Sequence, residues 1–328
     1  MSSNILMPDD IDFAAYMNQT DAGHKVVSGA AFADDVANLI DRPDRISGLC
    51  MPWPTTFAKF RFREAEVTVW TGFNGHGKSY ALGMVCASLV SQKAKVCIAS
   101  FEMPARRTLF RMIRQVSGRD ILTSEFARGY LAIAKEHLWL YDHLGQTTPE
   151  KLLAVIRYCH DKKGIQHFVI DSFLTCGLPE DGNGAMTVQK QFISSLCSIA
   201  RDTGVHIHLV AHAKKGQTDD DEMKAPGKFS VRGSSAITDQ ADNVISVWRN
   251  VKKERAFDPN GSTGGGRSVT SEEKAALGMQ GDAVLSIVKQ RNGEWEGKIP
   301  LWLDRESWQF IDNDQGRLID LMEFEGQF

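Results

Sequence analysis

The chain has 328 residues, 42% of them hydrophobic and 24% charged, with a formal net charge of −3. A core of that size folds without disulfide or metal staples, and the near-neutral charge excludes a uniformly basic, polyanion-binding surface, so any nucleic-acid site must be a local patch. The six cysteines (Cys50, Cys86, Cys97, Cys159, Cys176, Cys197) form no CxxC pair and read as reduced core thiols of a cytoplasmic protein. No apolar run approaches the roughly 20 residues of a membrane span, and the acidic start MSSNILMPDDID lacks the apolar block of a signal peptide.

Residues 1–50 read as an N-terminal arm in which AAFADDVANLID sets Phe32, Val36, Leu39 and Ile40 at helical spacing. The segment MPWPTT follows as a hinge, and residues 51–328 as one large domain. From residue 64, β-rich runs alternate with helical patterns: EVTVWTG before KSYALGMVCASLVSQ, KVCIASF before a long helical region, HFVIDSF before VQKQFISSLCSIARDTG, then VHIHLVAHA, NVISVWRN and AVLSIVKQ. Short β-branched runs separated by helices predict parallel strands with crossover helices, an α/β fold whose mostly parallel central sheet is covered on both faces. The segments CGLPEDGNGAMT, KKGQTDDDEMKAPGK and DPNGSTGGGRSVTSEEK are too rich in Gly, Asp and Lys to build a core, and loops at strand C-termini are where ligands bind in such sheets.

The strand EVTVWT runs into GFNGHGKS (Gly72, Phe73, Asn74, Gly75, His76, Gly77, Lys78, Ser79) and then directly into a helix, which fits G-x-x-x-x-G-K-[ST]. In this motif backbone N–H groups and the helix N-terminus surround phosphate oxygens, the lysine (Lys78) reaches the β- and γ-phosphates, and the hydroxyl (Ser79) binds Mg²⁺. ATP with Mg²⁺ is therefore the expected ligand. The strand HFVID ends at Asp171, where a second carboxylate is needed to hold the metal ion. Glu102, at the end of KVCIASF, is placed to orient the attacking water, with a capping or surface glutamate as the alternative.

Taken in order, these pieces resemble the DnaB-type replicative helicases, including the phage primase-helicases and the mitochondrial Twinkle helicase, over roughly residues 50–313. GFNGHGKS is similar to the family's first motif, SFEMP to the segment carrying its catalytic glutamate (here Glu102), and FVIDSF to its metal-associated strand (Asp171). LVAHAKK resembles the γ-phosphate-sensing segment and puts that role on His212, whose alternative is a core histidine. KQRNG resembles the trans-acting signature, so the resemblance implies that Lys289 and Arg291 reach a neighbouring subunit's nucleotide, with Arg291 as an arginine finger; surface ion pairing is the alternative. It further implies that Arg249 packs on the adenine base, with Leu303 or Trp302 on the other face.

The same resemblance implies a RecA-like P-loop core working as a homo-hexamer, with ATP between subunits, single-stranded DNA through the centre and forked duplex DNA as substrate. The loop after His212 and the motif VRGSSAITDQADNVISVWRN then supply Lys214, Lys215, Arg232, Gly233 and Ser234 to the DNA channel, with Lys224 and Lys228 nearby; a solvated loop is the alternative, since its TDDDE run repels phosphate. Fifty residues cannot hold a primase or primase-interacting domain, so a separate primase, other replisome proteins or none is expected. The helix around Phe32–Ile40 is either the family's linker helix, docking on the next subunit, or a plain surface helix. Two further function classes share these motifs: a RecA- or RadA-like recombinase, and a regulatory or loader ATPase that does not unwind.

Overall fold

The computed structural model describes residues 5–6, 12, 30, 33–41, 47–118, 121–179, 184–213, 236–258 and 270–323. Its centre is one ten-stranded sheet. The strands are β1 (Ile5–Leu6), β2 (Val67–Thr71), β3 (Val96–Ser100), β4 (Leu138–Tyr141), β5 (His167–Asp171), β6 (His206–Val210), β7 (Asn243–Arg249), β8 (Ala283–Gln290), β9 (Gly297–Leu303) and β10 (Phe310–Ile311), in spatial order β1-β4-β3-β5-β6-β2-β7-β8-β9-β10. From β1 to β7 every neighbouring pair is parallel. The last three pairings are antiparallel.

The parallel strands are buried almost throughout because both faces are covered. Trp70, Ile98, Val169 and Val210 point into one core, beneath α2 (Lys78–Ser91), α3 (Ala105–Ser117) and the segment carrying Met51, Trp53, Phe60 and Phe62. Val69, Cys97, Ile170 and Leu209 point into the other, beneath α5 (Pro149–Lys163) and α6 (Ala185–Thr203). The period of two along each strand assigns alternate side chains to the two cores. Shorter helices complete the described chain: α1 (Ala33–Asp41), α4 (Ser124–Ile133), α7 (Ala236–Gln240), α8 (Val251–Phe257) and α9 (Ser271–Gly278).

Two elements depart from the sequence expectation. LWLY, inside what reads as a long helical region, is strand β4, because its four residues pair with β3. AVLSIVKQ is a strand as expected but runs antiparallel to β7, followed by β9 and β10 with no crossover helix between them. The N-terminal helix forms over Ala33–Asp41, and its Val36 and Ile40 are exposed. Among the described residues no helix is long and apolar enough to cross a membrane, and all six cysteines are buried and free.

Candidate nucleotide site

Strand β2 ends at Thr71, and the chain turns through Gly72–Gly77 into α2. Gly72, Gly75 and Gly77 have φ of 150°, 75° and 88°, a left-handed region that a side chain rarely enters. At Gly72 a Cβ would also overlap the carbonyl oxygen of Val247 on β7, the strand that backs the loop. Phe73 tucks under the loop against Ala213 and Trp248, Asn74 and Gly75 are exposed at its tip, and His76 is buried with Nδ1 accepting the backbone N–H of Arg249 at 3.2 Å. Burial holds the His76 imidazole down to about 4, so it is neutral at physiological pH.

Three further strands bring the remaining groups to the loop. Residues Ser100 and Asp171 are register partners, so β3 and β5 end side by side, and the Phe101 N–H donates to the Asp171 carbonyl at 2.9 Å. Strand β6 continues along the loop: the Ala211 N–H donates to Trp70 and the Ala213 N–H to Gly72, at 2.8 and 2.9 Å, which fixes His212 between them. Glu102, Asp171 and His212, far apart in the chain, therefore converge on Lys78 and Ser79.

The Lys78 ammonium donates to the carbonyls of Gly72 and Phe73, both at 2.9 Å, and lies 3.4 Å from His212 Nδ1. Burial lowers its pKa to about 8, opposed by the Asp171 and Glu102 carboxylates. The Ser79 hydroxyl donates to Asp171 Oδ2 at 3.3 Å. Asp171 is raised above the ordinary carboxylate value by burial and by the nearby Glu102 charge. A buried carboxylate beside a hydroxyl is the hard-oxygen donor set that suits Mg²⁺, and a divalent cation would relieve the burial cost of the Asp171 charge. Glu102 has His212 Nε2 at 3.7 Å and the Ser172 hydroxyl donating at 2.5 Å, both to Oε1. His212 and then Ser172 hold its carboxylate down to about 2 against the effect of burial.

A cavity of about 640 Å³ opens beside the loop, lined by Tyr80, Arg249, Leu303, Arg305, Trp308 and Phe310 among others. Arg249 lines it while pairing with Glu254 at 3.1 Å, and Leu303 lines it as expected. Trp302 is absent from this lining; its register partner is Ile311, and the aromatic side chains present include Tyr80 and Trp308, which meet edge to face at 6.1 Å. Neither carries a sequence signal, because β10 and the turn before it bring Trp308 to α2 only through long-range packing.

Lys289 and Arg291 lie elsewhere. Strand β8 is antiparallel, so its end, at Gln290, pairs with Asn243 at the start of β7, while Gly72 touches Val247. Roughly 13 Å of strand, at about 3.3 Å per residue, separates those two levels. At this opposite edge the Lys289 ammonium donates to the carbonyls of Thr238, Asp239 and Ala241 at 2.7–2.9 Å, which closes the C-terminal end of α7. Arg291 pairs with Asp242 at 2.9 Å and donates to the Gln240 carbonyl at 3.2 Å. The structure thus brings Lys78, Ser79, Glu102, Asp171, His212 and Arg249 together and leaves Lys289 and Arg291 apart from them. Lys214, Lys215, Lys224, Lys228, Arg232, Gly233 and Ser234 lie outside the described residues.

A family model described as the DnaB-like helicase C-terminal domain matches residues 60–312. The fold is similar to one solved ATPase domain with a TM-score of 0.66 and 14% identity, over 88% of this chain and 100% of that one. It is similar also to a solved DnaB-like replicative helicase described with its interactions with primase, with a TM-score of 0.64 and 16% identity over 89% of this chain and 69% of that one. The matched span contains the whole nucleotide site, and the chain belongs to the DnaB-like helicase C-terminal domain family, with the RecA-like fold of the ATP-hydrolysing DNA helicases.

Proposed function

We propose that the protein is a ring-forming replicative helicase motor, a cytoplasmic homo-hexamer that hydrolyses ATP between subunits, moves along single-stranded DNA in its centre and unwinds forked duplex. In this reading the Gly72–Ser79 loop and the N-terminus of α2 hold the phosphates, Lys78 neutralises β- and γ-phosphoryl charge, and Arg249 packs on the base. Ser79 and Asp171 would hold Mg²⁺, which neutralises charge developing on the phosphoryl oxygens when bound. Glu102 orients the attacking water and takes its proton, a task for which an ionised carboxylate is already in place. His212, between Lys78 and Glu102, couples the phosphate loop to the segment after β6, where Lys214, Lys215, Arg232, Gly233 and Ser234 would grip DNA phosphates.

The observation that carries this reading is the separation of the two halves of the machinery. The nucleotide groups sit at the C-terminal edge of the parallel strands and the Lys289–Arg291 pair at the opposite edge, out of reach of their own loop. A head-to-tail neighbour lets one edge meet the other, which is the heterologous contact that closes rings. Residues 1–50 would then be an arm added to the 51–328 motor, whose sheet β1 joins, with the exposed Val36 and Ile40 of α1 docking on that neighbour, and a separate primase or other replisome proteins serving the fork. Electron microscopy with ATP and single-stranded DNA, alongside a forked-duplex unwinding assay, tests this. Closed rings and strand separation are expected. Filaments on DNA would favour a recombinase, and hydrolysis indifferent to DNA with no unwinding would favour a regulatory or loader ATPase.

A further inference from the structure

Asp171 and Ser172 form a dipeptide in which each side chain serves a different part of the site. Asp171 accepts from Ser79, and the next residue turns its hydroxyl to Glu102 at 2.5 Å. Ser172 is fully buried and its hydroxyl has a single proton, which goes to Glu102 Oε1. Its backbone is fixed as well. The Thr175 hydroxyl donates to the Ser172 carbonyl at 2.6 Å and accepts the Ser172 N–H at 3.4 Å, and the Cys176 thiol reaches the same carbonyl at 3.5 Å. Glu102 stands on the turn after β3 with about half its side chain exposed, and besides the Ser172 hydroxyl its Oε1 has His212 Nε2 at the longer distance of 3.7 Å.

We propose that Ser172 is a positioning residue for Glu102: its hydroxyl, anchored through the Thr175 turn, holds one carboxylate oxygen so that the other faces the attacking water. Hydroxyl-to-carboxylate bonds of this length are among the stronger neutral-to-ion contacts. A carboxylate on a flexible stem gains from being held, since a misplacement of about 1 Å can cost about 10²-fold in rate. The hook couples Glu102 to the metal-side carboxylate through one peptide unit, so that the two move together. This inference rests on the reading of Glu102 as the group that orients water.

The test is steady-state ATP hydrolysis by the full chain with single-stranded DNA, for Ser172→Ala, Ser172→Cys, Glu102→Gln and the Ser172→Ala/Glu102→Gln double variant. Ser172→Ala is expected to lower kcat about 10- to 100-fold with KM for ATP changed less than about twofold, because nucleotide binding does not use the hydroxyl. Ser172→Cys restores the volume without a strong donor and is expected to remain impaired. In the Glu102→Gln background, Ser172→Ala is expected to add less than about twofold, since nothing is left to position. Full activity in Ser172→Cys, an equal loss in the Glu102→Gln background, or a rise in KM to match the fall in kcat would each overturn the proposal. An active Glu102→Gln enzyme would instead overturn the reading of Glu102 on which it rests.

Discussion

The carbonyl oxygen of Val247 occupies the space that a Cβ on Gly72 would need, so strand β7 backs the phosphate loop at its first residue. Ala at Gly72 must either distort the loop or push β7, and its φ of 150° is unfavourable besides. Gly72→Ala is expected to weaken ATP binding by at least about tenfold and to lower the unfolding midpoint. At Gly75 a Cβ would meet nothing within 4 Å. Gly75→Ala therefore carries only the left-handed backbone cost, roughly 1–2 kcal/mol. Isothermal titration with a non-hydrolysable ATP analogue, with thermal unfolding in parallel, compares the two; equal effects would contradict the account.

In the proposed reading Lys78 is the group whose protonation the nucleotide needs. In the free chain burial lowers its pKa to about 8, and bound phosphates would raise it again. Binding is then linked to proton uptake above pH 8: affinity is full below that value and falls by up to about tenfold per pH unit above it. Titrations at pH 7 and pH 9 in buffers of different ionisation enthalpy measure this directly. Uptake near one proton at pH 9 and near zero at pH 7 is expected, and equal uptake at both would sink the prediction.

His167, His206 and His208 form a buried network under Phe62. Trp70 donates to His208 Nδ1 at 3.2 Å, His208 Nε2 and His167 Nδ1 are 3.2 Å apart, and Thr68 bonds His206 Nε2 at 2.8 Å. Burial depresses all three, His206 to about 4 and the others well below the ordinary value. A depressed histidine pKa means that the unfolded chain binds the extra proton. The stabilisation is therefore complete above the unfolded value of about 6.5 and is lost as pH falls below it. Between pH 7.5 and 5.5 each histidine should remove about 1.4 kcal/mol. Urea midpoints across that range report the loss, and a flat profile would contradict the neutral network.

Much of the fold was legible in the sequence because the parallel strands β2, β3, β5, β6 and β7 are buried on both faces and read as short runs rich in β-branched residues between helical patterns. Strand β4 was not, since LWLY has four residues and exists through pairing with β3. GKIPLWL was hidden by Pro300, which sits in β9 opposite Val284, at a level that β10 does not reach. In the site, the loop, Asp171 and Glu102 announce themselves by position at strand ends. Trp308 and Ser172 do not, since their places in the candidate site depend on which distant side chain packs beside them. For Lys289 and Arg291 the family resemblance implies a role at a neighbour's nucleotide, and the antiparallel direction of β8 adds that they stand at the far edge from their own loop.

That placement is tested most directly by complementation. In the proposed reading Lys78→Ala removes a subunit's own nucleotide site but keeps Arg291, whereas Arg291→Ala keeps the site and removes the group offered to a neighbour. The measurement is DNA-stimulated ATP hydrolysis by each variant alone and by a co-assembled equal mixture. Each alone is expected to lose about 10³-fold or more, with Arg291→Ala still binding nucleotide, while the mixture recovers up to about a quarter of wild-type sites through heterologous contacts between unlike subunits. A mixture as inactive as its parts, or an Arg291→Ala protein that hydrolyses ATP at the wild-type rate, would contradict a site shared between subunits.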